Sequence, residues 1–274
     1  MQIDTLRSLP RPLAYVLPGG GALAAYQVGV LDALTAAGLR PDRLIGVSAG
    51  AMNAALFAWS SDDEGVRRLT RIWAGVKRRD LLRVHPGRLA LALAGKRASF
   101  LDNRHGIAFL QKHLGARLIE HAPIPLAIIA TDLATGRPFI LESGDVVFAI
   151  VASSAFPGVF PPIELDGHTL IDGGVVADVP LDVAVDLGMA SVVVIAVPPL
   201  APAPVPQHPV AVVLRSSTWG VEAHARTVVA RPPDGLQVVE IPTQPSSVTT
   251  FAVGSAAATI EGARQFTETW LRSG

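Results

Sequence analysis

A chain of 274 residues, half of them apolar and 17% charged, is long enough to bury a substantial core and too apolar to be disordered. Its 23 Lys and Arg balance 23 Asp and Glu, so no overall field favours nucleic acid, and with no cysteine it has neither disulfides nor thiolate metal sites. The first ten residues hold an acid and a proline where a secretory signal needs an unbroken apolar core, and later apolar runs are interrupted by Gly or Pro before membrane-spanning length. These features predict a cytoplasmic protein and leave peripheral contact with an anionic membrane open.

Residues 13–17 read as a fully buried strand, broken by Pro18-Gly19-Gly20-Gly21, and residues 22–36 follow as a helix stopped at Gly38. A second strand runs through Leu44-Ile45-Gly46-Val47 into Ser48-Ala49-Gly50, and residues 51–59 suit a buried helix. Two strand–turn–helix units in under sixty residues predict an α/β fold with parallel strands. Residues 62–117 are helical in character and strongly basic, with thirteen Lys and Arg against five Asp and Glu, around an uncharged run at 89–94. The plain reading is a solvated helical insertion; the sharper one is a cap whose basic face meets anionic lipid.

Strands resume at residues 125–132, with a turn through Ala134-Thr135-Gly136 and a partner strand at 138–141. Residues 146–153 read as a helix and 155–162 as a stiff apolar loop. A short hairpin turns at Asp166-Gly167 and ends at Asp172-Gly173-Gly174. A helix over 179–187, a buried strand over 191–197 and an extended loop with six prolines over 198–209 come next. A helix over 210–229, a strand over 237–241 and a helix over 255–271 close the chain. No repeat and no linker divides it, so residues 1–274 are expected to form one domain.

Gly46-Val47-Ser48-Ala49-Gly50 fits the G-x-S-x-G turn that projects a nucleophilic serine from a strand end, with Gly46 and Gly50 letting strand and helix pass closely. The alternative is a glycine-rich turn whose serine merely caps the helix. Gly19, Gly20 and Gly21 follow the first strand and emerge at the same carboxyl edge of a parallel sheet. Their N–H groups, with that of Ala49, are candidates for an oxyanion hole. Gly19-x-Gly21-x-x-Ala24 also fits a dinucleotide fingerprint, but the acid this needs after the second strand is replaced by Ser48, and Asp42 precedes that strand. None of the seven histidines follows a clear buried strand with turn residues around it. Asp172 does, with Gly173 and Gly174 allowing a tight turn beside it, although a turn cap is the default for any Asp-Gly.

Gly19-Gly20-Gly21, Gly46-Val47-Ser48-Ala49-Gly50 and Asp172-Gly173-Gly174, in this order, resemble the patatin-like phospholipase family. Ala130-Thr131-Asp132-Leu133 and the stretch from Ser153 to Pro162 are also similar to it. Where many members have a basic residue and then glycine after the triple glycine, this chain has Leu23 and Ala24. The resemblance implies a three-layer α/β/α sandwich around a mainly parallel sheet. It implies a Ser48–Asp172 dyad without histidine, with Ser48 as nucleophile, Asp172 as base and the glycine loop as oxyanion hole. It further implies hydrolysis of lipid or small ester substrates with no metal or organic cofactor. A non-catalytic lipid- or partner-binding protein that keeps the fold is the alternative.

Overall fold

A computed structural model describes residues 1–77, 86–199, 205–244 and 253–273 of the chain. Five strands lie parallel in the order β3-β2-β1-β7-β8: Leu126–Asp132, Arg43–Val47, Leu13–Leu17, Ser191–Val194 and Gln237–Glu240. Burial on both sides explains why β1 and β3 read as unbroken apolar runs, since a parallel sheet carries helices on each face. Alternate residues divide between the faces. Tyr15, Leu44, Ile128 and Val193 enter one core, while Ala14, Val16, Ile45, Ile129 and Val192 enter the other.

The first face is covered by α1 (Gln2–Arg7), α2 (Ala25–Ala36), α3 (Ala49–Ala58), α4 (Asp63–Gly75) and the C-terminal helix, Ala256–Arg272. The second is covered by two short helices, Gly174–Ala177 and Leu181–Asp186, and by the long helix Pro209–Ala230. This is the expected three-layer α/β/α sandwich. In chain order the remaining helices are α5 (Pro86–Leu93), α6 (Arg104–Leu114) and α7 (Val146–Ser153), and those after α7 are α8, α9, α10 and α11.

Three more strands join antiparallel. β4 (Arg137–Leu141) pairs with β3 over residues 128–132, overlapping the stretch that β2 pairs, so β2 and β4 occupy opposite edges of β3. β6 (His168–Asp172) pairs with β3 at residues 130–132, where β4 already holds the far edge. It therefore takes over the β2 edge where β2 ends, at Val47 opposite Ile129. Asp172 faces Ala130, the next residue of β3, and so the register alone sets Asp172 beside Ser48. β5 (Ile163–Leu165) closes the predicted hairpin with β6.

The basic stretch differs from expectation at its start. Rather than leaving the fold at Asp62, α4 is capped by the Asp62 side chain, which accepts from Gly65 N at 2.8 Å, and it buries Val66, Leu69, Ile72 and Trp73 in the main core. Arg67 and Arg71 of α4 both pair with Glu64, and Arg104 pairs with Asp102. Residues 78–85, with Arg78, Arg79 and Arg83 of the thirteen basic residues and Asp80 of the five acids, lie outside the described residues, as do 200–204 of the proline-rich loop. Within the apolar run, Leu91 of α5 is exposed. The N-terminal α1 was not legible as a helix; it packs Leu6 and Ile3 onto the first-face core, and Gln2 N bonds Ser273 O beyond α11. Among the described residues no helix is long and apolar enough to cross a membrane.

Candidate active site

β2 ends at Val47 and α3 begins at Ala49, so the chain must reverse at one residue. That residue, Ser48, has φ +52° and ψ −123°, a strained region for a residue with a side chain. The turn holds because its flanks have no Cβ. A Cβ on Gly50 would lie 2.1 Å from Leu17 O and 2.3 Å from Pro18 O, and one on Gly46 would lie 2.6 Å from Ala51 Cα. Ser153, at the end of α7, fixes the turn from below. Its Oγ accepts from Ser48 N at 2.8 Å and donates to Ile129 O at 2.6 Å, fully buried.

Ser48 Oγ donates to Asp172 Oδ2 at 2.7 Å. The other oxygen, Asp172 Oδ1, accepts from Gly174 N at 2.9 Å, so each carboxylate oxygen accepts one hydrogen bond. Gly173 passes hard against β3, since a Cβ there would stand 2.1 Å from Ile129 O. Burial pushes the Asp172 carboxyl up to about 6, against the opposing pull of the Ser48 and Gly174 hydrogen bonds. The histidines take no part among the described residues: none lines the cavity above Ser48, and His168 instead bonds Asp132 through Nδ1 at 2.6 Å.

The glycine loop stands over the serine, as its position after β1 predicts, with one correction. Gly19 N donates to Asp178 Oδ1 at 2.8 Å, so this N–H is already committed. The N–H groups of Gly20, Gly21 and Ala49 have no acceptor among the described residues. Gly20 and Gly21 adopt φ values of +146° and +58°. Asp178 follows α8, is buried, and received no role from the sequence. Asp42, weighed as a nucleotide-binding acid, sits at the opposite end of the sheet, where its Oδ2 accepts from Leu13 N at 2.7 Å.

A buried polar network, also invisible in the sequence, ties this loop to three helices. Trp73 Nε1 of α4 donates to Asn53 Oδ1 of α3 at 2.8 Å. Asn53 Nδ2 donates to Ala24 O at 2.8 Å and to Gln27 Oε1 at 2.9 Å, and Gln27 Nε2 donates to Pro18 O at 2.8 Å. Each group depends on the others, because an unpaired polar atom in a dry core costs more than one bond gives. Asn53→Ala is expected to lose roughly 2–4 kcal/mol in urea unfolding, by leaving the Trp73 donor and the Gln27 and Ala24 acceptors unpaired.

Ser48 and Asp172 open into a cavity of about 840 Å³. Its walls are largely apolar: Leu23, Met52, Trp73 and Phe109 on one side, and Phe156 and Phe160 of the stiff loop on another. Leu23, one of the two residues departing from the usual glycine-loop pattern, thus extends the apolar wall. The cavity-facing side of α10 adds Arg215, Thr218 and Glu222.

Fold and site together define an α/β/α protein with a serine on a strand-to-helix turn, hydrogen-bonded to a buried aspartate at the carboxyl edge of a parallel sheet. The sequence signature of the patatin-like phospholipase family matches residues 15–185, and the chain belongs to that family. An uncharacterized NTE family protein of Mycobacterium tuberculosis is 34% identical over 175 residues, which cover 64% of this chain and 45% of that one. Neuropathy target esterase sws of Drosophila melanogaster is 30% identical over 185 residues, covering 67% of this chain and 13% of that one. The chain therefore spans less than half the length of either relative. Among solved structures, VipD from Legionella pneumophila covers 95% of this chain and 67% of its own, at 15% identity and a TM-score of 0.44.

Proposed function

We propose that the protein is a serine acyl hydrolase that cleaves lipid acyl esters with Ser48 as nucleophile and Asp172 as its general base. The observation that carries this reading is the 2.7 Å bond from Ser48 Oγ to Asp172 Oδ2 at the floor of a large apolar cavity. Family membership supports it, as does the cavity volume, which lies within the ~300–1,000 Å³ of sites for small organic ligands.

In the first half-reaction, Ser48 Oγ attacks the ester carbonyl carbon while its proton passes to Asp172 Oδ2. The N–H groups of Gly20, Gly21 and Ala49 receive the oxyanion, and the α3 N-terminus adds a favourable dipole. Collapse expels the alcohol, which takes the proton from Asp172 and leaves an acyl group on Ser48. Water then attacks this acyl-enzyme, with Asp172 again accepting a proton, and the fatty acid leaves as Ser48 regains its hydrogen. A carboxyl pushed up to about 6 is a stronger base than an ordinary aspartate yet remains ionised at neutral pH.

Such a base does little for amides. An ester expels an alkoxide or phenolate that needs modest proton assistance, whereas an amine must be protonated before it leaves. Purified protein is expected to turn over aryl and glycerol esters with medium or long acyl chains, and acyl-matched anilides at least about a thousandfold more slowly. Anilide turnover within about tenfold of the ester, a gap of only ~1.4 kcal/mol in barrier, contradicts the reading.

In this reading substrate enters from a lipid surface, met by the basic stretch 62–117, of which α6 contributes Gly106 and Phe109 to the cavity lining. Binding to anionic vesicles is expected to exceed binding to neutral ones and to weaken with salt. Equal binding to both at low salt removes the electrostatic part of this contact.

A further inference from the structure

The reaction uses one buried carboxylate, and the site holds two. Asp178 lines the same cavity and is almost as buried as Asp172. Its Oδ1 holds Gly19, the residue that opens the glycine loop. The two carboxylates flank a single glycine: a Cβ on Gly174 would stand 3.1 Å from Asp178 Oδ1 and 3.2 Å from Asp172 Oδ1. On the other side, a Cβ on Gly19 would stand 2.9 Å from Asp178 Oδ1 and 3.2 Å from Ser48 Cβ. Asp178 therefore lies within Coulombic reach of both the base and the atom that attacks.

We propose that Asp178 is a positioning residue with two effects: it anchors the glycine loop through Gly19, and its proton gates the site, which works while Asp178 is neutral and fails as it ionises. The inference rests on the acyl-hydrolase reading of Ser48 and Asp172. A neutral carboxyl still offers a carbonyl oxygen to Gly19 N, so the loop stays in place without added charge. An ionised one sets a negative charge beside the position where the tetrahedral oxyanion develops, and a like charge there opposes the donors that stabilise it.

Burial pushes Asp178 up to about 7, the Gly19 hydrogen bond opposing and the charge of Asp172 adding to the rise. From the elements around it, Asp172 comes from the end of β6, while Arg215, Glu222 and Arg226 of α10 and Glu240 of β8 face the same cavity; the charge that acts on Asp178 is that of Asp172. The order follows. Asp172 accepts two hydrogen bonds, from Ser48 Oγ and Gly174 N, and Asp178 one, from Gly19 N, so the first charge settles on Asp172 and opposes the ionisation of Asp178 beside it.

The test is the pH profile of kcat/KM on a water-soluble aryl ester for the wild type, Asp178→Asn and Asp178→Ala. The wild type is expected to rise through about pH 6 and fall above about pH 7, by at least tenfold at pH 9. Asp178→Asn keeps an acceptor for Gly19 and cannot ionise, so its acid limb remains and its alkaline fall disappears. Asp178→Ala leaves Gly19 N unpaired and is expected to lose at least tenfold at every pH. An alkaline fall in Asp178→Asn equal to that of the wild type overturns the proposal, as does an Asp178→Ala profile matching Asp178→Asn.

A readout independent of turnover separates this proposal from the reading beneath it. Followed by carbon-13 NMR, the Asp178 carboxyl is expected to titrate near neutrality and to move to lower pH in Asp172→Asn. Titration near pH 4 in the wild type, or no movement in Asp172→Asn, overturns the gate even if Ser48 proves catalytic. A wild type inert to esters whose Asp178 titrates as expected overturns the hydrolase reading instead, and with it the gate's effect on turnover.

Discussion

Replacing Ser48 by Ala or Asp172 by Asn is expected to lower ester turnover by at least about three orders of magnitude each, and the double variant by little more. In the proposed mechanism nucleophile and base act as a unit, so once one is missing the other has nothing left to contribute. The Asp172→Asn change also separates catalysis from stability. In the folded chain Asp172 ionises only near pH 6, against about 4 in an unfolded one, so the group favours folding below pH 4 and loses that contribution as the pH rises through 6. Asparagine still accepts from Gly174 N and carries no charge to desolvate. At pH 8 the variant is therefore expected to be more stable than the wild type, on the order of 2 kcal/mol, while nearly inert. A variant that is both active and less stable in denaturant contradicts the assignment of Asp172 as a buried base.

Gly50→Ala is expected to abolish folding altogether. The new Cβ would meet the carbonyl oxygens of Leu17 and Pro18 at 2.1 and 2.3 Å, and both belong to backbone held in the central strand and the glycine loop. No side chain can rotate away to relieve the contact. Either α3 moves, which opens the first-face core, or β1 is displaced from its two neighbours; the cost exceeds about 4 kcal/mol, a large part of the stability of an ordinary domain. Gly262→Ala is the matched control. It lies inside α11 with no atom within 4 Å of the new Cβ, and it is expected to stabilise by about 0.5–1 kcal/mol through helix propensity. Thermal unfolding and soluble yield read both variants; a folded Gly50→Ala with an unchanged melting temperature contradicts the packing described for the turn.

The parts of the site legible in the sequence are those that depend on the local chain. β1 and β2 are short apolar runs ended by glycines, and the Ser48 turn follows from Gly46 and Gly50 within five residues. Asp172 was legible because a hairpin and two glycines bracket it. The parts that were not legible depend on partners more than twenty residues away. Ser153 sits under Ser48 only because α7 returns to β3, and nothing around it signals that contact. Asp178 reads as an ordinary residue before a helix, and its bond to Gly19 spans 159 positions. That bond is also why the N–H of Gly19, grouped with its neighbours by sequence, is already occupied. The placement of β6 beside β2 follows from which edge of β3 was vacant, a question of topology that periodicity cannot answer. The composition of 62–117 suggested a separate insertion because charge dominated the count, yet α4 turns its apolar stripe inward and keeps its charges outside. The six-residue α1 is too short to be helical by propensity and is held by α11.

The most direct test of the account is covalent labelling of the serine by an alkyl fluorophosphonate, read by intact mass and peptide mapping. One adduct is expected, on Ser48, absent from Ser48→Ala and formed far more slowly in Asp172→Asn, since the same base must activate the same hydroxyl. An adduct on another residue, or ester hydrolysis that persists while Ser48 stays unlabelled, contradicts it.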